Sequence, residues 1–238
     1  MERKEMLYEG KTKQVFATDN PNERIVRFKD DATAFNGLKK GMISGKGVLN
    51  NKISSILMQV LEKNGVPTHF IKEYSDRECL VKRVDIIPIE VIMRNVSAGS
   101  LSKRLGLPEG TKLKRAVMEL CYKKESLGDP IINVSHILSL GLADEETVKI
   151  IMDYAYKTNE VLSAYLKSVK IDLVDFKLEF GKTEDGTIIL ADEISPDTCR
   201  FWDSLTHEKL DMDRFRKGLG NVEEAYNIVF NRLKEKSA

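Results

Sequence analysis

The sequence predicts an α+β fold from three observations: a first third rich in strand patterns, long amphipathic helix patterns, and a charged strand that begins near residue 171. The chain has 238 residues, which is enough for one large domain or two small ones with a buried core. Hydrophobic residues make up 42% of the chain and charged residues 32%, so its composition is that of a soluble globular protein.

Alternating apolar residues place the strands, and a period of three to four residues places the helices. Strands are predicted over residues 7–9, 14–16, 24–28, 78–84, 89–93, 171–180 and 187–191. Helices are predicted over residues 48–63, 144–169 and 211–236. Asn64-Gly65 ends the first helix, Asp144 caps the second, and Pro88 separates two strands. A domain boundary is expected near residues 84–88.

Composition and charge exclude several classes of function. Lysine and arginine total 38 and aspartate and glutamate total 37, so the chain lacks the positive charge expected of a nucleic-acid-binding domain. No stretch approaches the roughly 20 apolar residues of a membrane span, and the charged N-terminus does not resemble a signal peptide. Three widely spaced cysteines indicate reduced thiols, which predicts a cytoplasmic protein, and isolated histidines indicate no zinc site.

The predicted strand after residue 171 carries charges on one face. Asp175, Lys177 and Glu179 alternate with apolar residues. If Asp185-Gly186 forms a two-residue hairpin turn, Glu179 lies opposite Asp192 on the returning strand. Opposed carboxylates repel, and Mg²⁺ between them would turn that repulsion into a binding site. The alternative is an ordinary solvent-exposed face, although the apolar returning strand favours burial.

Two glycine-rich segments could contact phosphates. Gly10-Lys11-Thr12-Lys13 lies between two strands, where backbone amides and two lysines suit a lid over a nucleotide. An ordinary solvated hairpin is the alternative.

The segment 41–47 resembles a P-loop, but it has three residues between its glycines, where that motif needs four, and Gly47 follows its lysine. It is therefore predicted to be a flexible loop that leads into a helix.

A third polar segment surrounds Arg94. This residue leads into Ser97-Ala-Gly-Ser100, and small residues with free amides beside an arginine could cradle a phosphate. Glu90 begins the apolar run that Arg94 ends. A strand that ends in a polar turn is the alternative. Lys123 and Lys124 form a second basic pair, of a kind that is usually a solvated face.

Several motifs, taken together and in order, resemble those of one enzyme family. Two of them are Leu173-Val-Asp-Phe-Lys-Leu-Glu-Phe-Gly181 and Asp192-Glu-Ile-Ser-Pro-Asp-Thr-Cys-Arg-Phe-Trp-Asp203. The others cover residues 8–13, 46–52, 78–84, 86–100 and 213–220. They resemble the phosphoribosylaminoimidazole-succinocarboxamide synthase (SAICAR synthetase) family of purine biosynthesis, in its compact, single-function bacterial form. The resemblance spans nearly the whole chain.

This resemblance implies a two-lobed fold with ATP in the cleft. A β-rich lobe similar to that of protein kinases is expected over residues 1–84, and a larger α+β lobe over residues 85–238. The implied reaction joins the carboxylate of carboxyaminoimidazole ribotide (CAIR) to the amine of L-aspartate through an acyl phosphate, with ATP converted to ADP and phosphate. The implied partners are these small molecules and further copies of the chain, in a homodimer or higher homo-oligomer.

The resemblance also implies roles for individual residues. Lys177 and Asp197 are expected to be catalytic, with Asp197 as a candidate general base. ATP is expected to contact Gly10, Lys11, Lys13, Lys82, Val84 and Lys123. Substrate contacts, above all with the ribotide, are expected at Arg94, Ser100, Asp129, Asp175 and Arg200. Glu179 and Asp192 are expected to hold Mg²⁺.

Three other functions stay open at this point. Another ATP-dependent ligase of the same class would join a carboxylate to a different amine. A kinase-like phosphotransferase also uses lid lysines and metal-binding carboxylates, but the chain has no His-Arg-Asp or Asp-Phe-Gly segment. A nucleotide-binding regulator without turnover would have no need of Lys177, Glu179, Asp192 and Arg200.

Overall fold

The computed structural model describes residues 2–34 and 37–237, which form two antiparallel sheets, a two-stranded ribbon and surrounding helices. The strands are β1 (Met6–Glu9), β2 (Lys13–Ala17), β3 (Glu23–Phe28), β4 (Asp31–Ala34), β5 (Lys39–Met42), β6 (Phe70–Ser75), β7 (Glu78–Lys82), β8 (Asp85–Val96), β9 (Lys112–Tyr122), β10 (Ile131–Ile132), β11 (Ile171–Lys182), β12 (Ile188–Ala191) and β13 (Cys199–Asp203). The helices are α1 (Lys46–Lys63), α2 (Gly99–Leu105), α3 (Val134–Ser139), α4 (Glu145–Ser168), α5 (Asp213–Lys217) and α6 (Val222–Ser237). The predicted α+β class is confirmed.

The first sheet has the strand order β1-β2-β3-β7-β6, and α1 packs against it. The strands predicted at residues 7–9, 14–16 and 24–28 are confirmed. Leu57 and Leu61, one helical turn apart on α1, are fully buried in the core, as the apolar stripe predicts. β7 ends at Lys82, before the predicted strand end at residue 84, because the chain then crosses to the second sheet.

The second sheet is built around β8 and β11. Its order is β10-β9-β8-β11-β12, and β13 pairs with the first half of β11. β8 is continuous, so the predicted interruption at Pro88 is wrong. The register between β8 and β11 shifts near Pro88, between the pairs Glu179–Glu90 and Gly181–Ile86. Strands tolerate a residue without an amide hydrogen at such an irregularity.

The hairpin between β11 and β12 has a three-residue loop over residues 184–186, so the predicted register is wrong by one residue. Gly186 has a left-handed φ of 88°, which is typical of the last residue in a hairpin loop of this length. Glu179 therefore lies opposite Ala191 on β12 and opposite Glu90 on β8. A cross-strand pair of carboxylates does exist, but it joins β11 to β8.

Of the two later helix predictions, the first is confirmed and the second is wrong in its continuity. α4 begins after Asp144, whose carboxylate accepts a 2.7 Å hydrogen bond from the amide of Thr147, as predicted. The helix predicted over residues 211–236 is instead divided into α5 and α6. Gly218 and Gly220 lie between them with φ values of 69° and 71°, a left-handed conformation that ends a helix.

The two sheets meet at the segment before β6. The amide of Leu190 donates to the carbonyl of Pro67 at 2.9 Å, and the amide of His69 donates to the carbonyl of Leu190 at 2.8 Å. α1 also packs against α4 and α6, so the halves of the chain share one core. The boundary near residue 84 lies between the sheets and stays a prediction. Within residues 2–34 and 37–237, no helix is long and apolar enough to cross a membrane.

Candidate active site

A cleft of about 1160 Å³ lies between the first sheet and the β11–β12 edge of the second. The β1–β2 hairpin borders it, and α1 contributes Asn51, Ser55 and Met58 to its wall. Apolar side chains such as Val15 and Val81 line it together with charged side chains such as Lys13 and Glu179. This combination suits a ligand with a flat ring and an anionic tail.

The cleft brings together most of the predicted site residues. Those that line it are Gly10, Lys11, Lys13, Lys82, Val84, Lys123, Asp129, Lys177, Glu179, Asp192 and Asp197. The other four, Arg94, Ser100, Asp175 and Arg200, lie outside the lining and form a second group on β8, α2, β11 and β13. Asp175 and Lys177 are neighbours on one face of β11, so the two groups are adjacent.

The charged part of the cleft is a network that we call the lysine–carboxylate cluster. Its members are Lys13, Glu90, Lys123, Lys177, Glu179, Asp192 and Glu193. The Lys177 ammonium contacts Glu179 and lies 2.9 Å from Asp192 Oδ2. It also lies 3.4 Å from Glu90 Oε1. Because Lys177 bridges them, Glu179 and Asp192 lie close together although they are not opposed in the strand ladder.

Asp192 and the β1–β2 hairpin, which is the predicted lid, border this cluster on its other side. Asp192 directly follows β12 with a left-handed φ of 59°, which takes the chain out of the strand. Lys13, at the start of β2, contacts Asp192 and lies 3.1 Å from Glu193 Oε1. Four carboxylates therefore face three ammonium groups, which leaves one net negative charge.

Burial and neighbouring charges both act on the central groups of the cluster. Burial alone would lower the pKa of Lys177, but Glu179 and Glu90 outweigh it and raise that pKa. Burial alone would raise the pKa of Glu179, yet Lys177 and Lys123 hold it well below its usual range. Both groups are therefore charged at neutral pH. Glu179 is only 6% exposed and Asp175 only 3%, so a solvent-exposed face for β11 is excluded.

The turn of the β1–β2 hairpin carries Gly10 and Lys11, which were also predicted to contact ATP. The amide of Gly10 donates to the carbonyl of Lys13 at 2.8 Å, which closes the turn. The Lys11 ammonium lies 2.5 Å from a carboxylate oxygen of Glu125, which also lines the cleft, and both side chains are exposed. An exposed ion pair contributes little to stability, so Lys11 can exchange this partner for a phosphate at little cost.

Lys82 and Val84 lie where the chain passes from the first sheet to the second. The amide of Lys82 donates to the carbonyl of His69 at 2.7 Å, and its ammonium donates to the carbonyl of Thr68 at 3.1 Å. Burial lowers the pKa of His69 to about 3, so its imidazole is neutral. A Cβ atom on Gly181 would come within 2.5 Å of Val84 Cγ2, so glycine is needed there for close packing.

The second group of predicted residues forms a buried network that we call the arginine cluster. Its members are Arg94, Ser100, Glu119, Asp175, Arg200 and Asp213. Asp175 bridges the two arginines, at 2.9 Å from Arg94 Nη1 and 2.8 Å from Arg200 Nη1. Burial raises the pKa of Asp175, although both arginines act in the opposite direction. The predicted cradle residues do lie together, and their contact with the ribotide stays a prediction.

The donor atoms of the lysine–carboxylate cluster fit a magnesium ion that arrives with a nucleotide. In the described part of the chain, no group of three or more His, Cys, Asp or Glu side chains could hold a metal ion by itself. Mg²⁺ typically takes one or two protein carboxylates and completes its shell with phosphate oxygens and water. Glu179 and Asp192 supply such a pair of hard oxygen ligands, and the net negative charge of the cluster favours a cation.

Some residues around the site were not predicted. The flexible loop predicted over residues 41–47 is wrong at both ends, because Gly41 and Met42 lie in β5 and Lys46 is the first residue of α1. Lys46 is 0% exposed and pairs with Asp197 at 2.5 Å. Glu193 and Tyr226 were also missed. The glycines on both sides of Lys46 are the signal that could have found it, since glycine permits close backbone packing.

Comparison with known proteins places the chain in a family. The SAICAR synthetase family profile matches residues 6–233, and a phosphoribosylaminoimidazole-succinocarboxamide synthase of Caldanaerobacter subterraneus subsp. tengcongensis is 60% identical over 235 residues, 99% of this chain and 100% of that protein. The chain belongs to the SAICAR synthetase family. The predicted resemblance is thereby confirmed.

Solved SAICAR synthetases share the whole fold. The enzyme from Ehrlichia chaffeensis superimposes with a TM-score of 0.95 and is 49% identical, over 97% of this chain and 98% of that chain. A SAICAR synthetase in complex with ADP superimposes with a TM-score of 0.92, also at 49% identity, over 95% of this chain and 96% of that chain. The predicted SAICAR-synthetase-like fold is therefore confirmed.

Proposed function

We propose that this enzyme joins the carboxylate of CAIR to the amine of L-aspartate, with ATP converted to ADP and phosphate. The lysine–carboxylate cluster, with Lys177 at its centre, is the observation that carries the proposal. It lies at the charged part of a cleft large enough for a nucleotide, in a family with one member solved with ADP. The relatives that match the whole chain carry the name of this activity.

The reaction needs activation because a carboxylate is a poor electrophile. One carboxylate oxygen of CAIR attacks the γ-phosphorus of ATP, the bond to the bridging oxygen breaks, and ADP leaves. The amine of aspartate then attacks the carbonyl carbon of the acyl phosphate, the carbon–oxygen bond to phosphate breaks, and the departing phosphate or the solvent takes the proton that the amine gives up. Such chemistry depends mainly on positioning and charge neutralisation.

The lysines of the cleft supply most of that neutralisation. Lys11 and Lys13 would contact the phosphates from the lid, with the Gly10 turn beneath them, and Lys123 would contact them from the opposite wall. Lys177 would lie between the nucleotide and the ribotide carboxylate, where its ammonium stabilises charge on the transferring phosphoryl group. Its raised pKa keeps it charged throughout.

The remaining nucleotide contacts follow from the same geometry. Lys82 and Val84 would hold adenine at the passage between the sheets. Glu179 and Asp192 would hold Mg²⁺ together with phosphate oxygens; the bound ion would supply further positive charge beside those oxygens. Asp129 lines the same cleft and has a left-handed φ of 49°, so its carboxylate is a candidate substrate contact.

The arginine cluster would bind the phosphate or carboxylate of the ribotide. The Arg94 and Arg200 side chains are held by Asp175, and Ser100 accepts a 3.0 Å hydrogen bond from Arg94. A phosphate dianion can compete with a carboxylate for these guanidinium groups, because both are bound bidentately. Asp175 would orient the two arginines toward this phosphate.

A homodimer or higher homo-oligomer in the cytoplasm completes the proposal. Its partners would be small molecules, with no nucleic acid and no membrane. The near balance of basic and acidic residues, 38 against 37, supports that choice of partners. The cations needed for three anionic substrates are instead concentrated at the lysine–carboxylate and arginine clusters.

A coupled assay of ADP release tests the proposed function. Each of ATP, CAIR and L-aspartate is omitted in turn, and L-aspartate is replaced by other amino acids. We expect sustained turnover only with all three substrates. Turnover with a different amine in preference to aspartate would favour another carboxylate–amine ligase. Turnover without CAIR or without any amine would refute the proposal.

A further inference from the structure

Asp197 is held from behind by two fully buried side chains. Lys46 Nζ donates to Asp197 Oδ2 at 2.5 Å, and the Tyr226 hydroxyl donates to Asp197 Oδ1 at 2.6 Å. Lys46 and Tyr226 are both 0% exposed and lie outside the cleft lining, whereas Asp197 lines the cleft. We call this set the Asp197 clamp. It joins the start of α1 and the middle of α6 to the cleft wall.

The local sequence fixes the lysine of the clamp. Gly45 precedes it with a left-handed φ of 75°, and a Cβ atom on Gly47 would lie only 2.5 Å from the carbonyl oxygen of Phe28. The amide of Gly47 donates to Asp30 Oδ1 at 2.9 Å, which fixes the first turn of α1 against β3. A fully buried lysine is stable only with a charged or hydrogen-bonding partner, and Asp197 is that partner.

The clamp makes Asp197 an acceptor on both of its oxygens. Burial, and then the Asp197 carboxylate, raise the pKa of Tyr226 well above its usual value, so the phenol keeps its proton and donates. An ionised carboxylate offers about four lone-pair positions, so acceptor capacity remains toward the cleft. An amine that approaches from the cleft therefore meets a carboxylate that is already held in place by a phenol and a buried lysine.

We propose that Lys46 and Tyr226 are positioning residues that hold Asp197 as a fixed acceptor for the amine of L-aspartate, so that Asp197 orients the nucleophile without taking its proton. Glu193, Glu179 and Asp192 contact cleft lysines instead, namely Lys13, Lys123 and Lys177 in that order. In the described part of the chain, the side chains that hydrogen-bond to the Asp197 carboxylate are Lys46 and Tyr226, both outside the cleft lining, while the Asp197 side chain itself, 6% exposed, borders the cleft. This inference rests on the proposed function and replaces the role of Asp197 as a general base.

Steady-state kinetics of the full chain test the clamp. Tyr226→Phe removes one hydroxyl and keeps the ring; we expect the KM for L-aspartate to rise about tenfold, the typical effect of losing a hydrogen bond to a charged group, with the KM for ATP changed less than about twofold. Tyr154→Phe is the matched control, since Tyr154 is a partly buried tyrosine on α4 outside the cleft lining, and it should leave both values unchanged.

The Asp197→Asn variant distinguishes the two roles of Asp197, orienting acceptor and general base. It also tests the inference if Tyr226→Phe does not fold. An orienting role predicts a large rise in the KM for aspartate with a fall in kcat of less than about tenfold, whereas loss of a general base lowers kcat by about 10²–10⁴ at saturating aspartate. Two results would overturn this inference and leave the proposed function intact. One is an Asp197→Asn variant whose kcat falls by that amount while its KM for aspartate is unchanged. The other is a Tyr226→Phe variant with an unchanged KM for aspartate. Wild-type ADP release that does not depend on aspartate would overturn the proposed function as well.

Discussion

Replacing Lys177 by methionine should both destabilise the fold and abolish turnover. The Lys177 side chain is 27% exposed, and its ammonium lies within 3.4 Å of three carboxylates, on Glu90, Glu179 and Asp192. Methionine keeps most of the side-chain length but removes the charge. Glu90 and Glu179 would then face each other across the ladder, with Lys123, 3.0 Å from Glu179, offsetting part of their repulsion.

The size of the effect follows from burial and from the remaining cation. Breaking a buried ion pair by removing one partner costs about 3–5 kcal/mol, and the partial exposure of Lys177 together with Lys123 places this case near about 3 kcal/mol. A domain of this size loses about 2–4 °C in melting temperature per kcal/mol, so we expect a fall of about 6–12 °C at neutral pH. Lys167→Met is the control, because the exposed Lys167–Asp172 pair contributes at most about 1 kcal/mol.

The fall in melting temperature caused by Lys177→Met, which we call the deficit, should depend on pH in a defined direction. The folded-state pKa of Glu179 lies below the model-peptide value of 4.5, so its contribution is present above that pH and is lost as pH falls. The folded-state pKa of Lys177 is raised above 10.5, so its contribution is present below that pH and is lost as pH rises further. The difference in melting temperature between wild type and Lys177→Met should therefore be greatest between about pH 5 and pH 10.

Two measurements check these expectations. Thermal unfolding at neutral pH and near pH 3 gives the deficit and its change in acid, and the coupled assay gives turnover, which should fall by about 10²–10³ or more. The reasoning would be refuted by a Lys177→Met variant that melts with the wild type at neutral pH. It would also be refuted by a deficit that stays constant down to about pH 3.

Other variants test the metal, ribotide and nucleotide contacts. Glu179→Gln or Asp192→Asn should raise the Mg²⁺ concentration for half-maximal turnover at least about tenfold while the protein stays folded; an unchanged Mg²⁺ titration would contradict the metal assignment. Arg94→Lys keeps the charge but loses the guanidinium fork, so the KM for CAIR should rise about tenfold and far more than that for ATP, and equal effects would argue against a ribotide contact. Gly181→Ala places a methyl group within 2.5 Å of Val84 Cγ2, so the KM for ATP should rise about tenfold, and an unchanged value would exclude Val84 from the nucleotide site.

Local patterns in the sequence were enough for much of the fold. The apolar stripes of α1 and α4 and the alternation in β2, β3 and β11 depend on neighbours along the chain, and the structure has these elements. β9 was missed because its first half is largely exposed and its last residues are buried on both faces, which hides a period of two. The break between α5 and α6 depends on the backbone conformation of two glycines, which a helical pattern does not show.

The candidate site was predictable in its residues and less so in its geometry. Family motifs place Lys177, Glu179 and Asp192, but the hairpin register depended on one residue of loop length, and the true cross-strand partner of Glu179 is Glu90. Neutralising contacts such as that between Lys13 and Asp192 join residues 179 positions apart, so no local pattern reveals them. The burial of Lys46 follows from tertiary packing for the same reason.

Transfer of an isotopic label tests the central claim most directly. CAIR labelled with ¹⁸O in its carboxylate is turned over with ATP and L-aspartate, and the inorganic phosphate is analysed by mass spectrometry. If the carboxylate attacks the γ-phosphorus and the amine then displaces phosphate, each phosphate released from fully labelled CAIR carries one ¹⁸O atom. Phosphate without the label, formed in step with the amide product, would contradict the acyl phosphate and the role proposed for the lysine–carboxylate cluster.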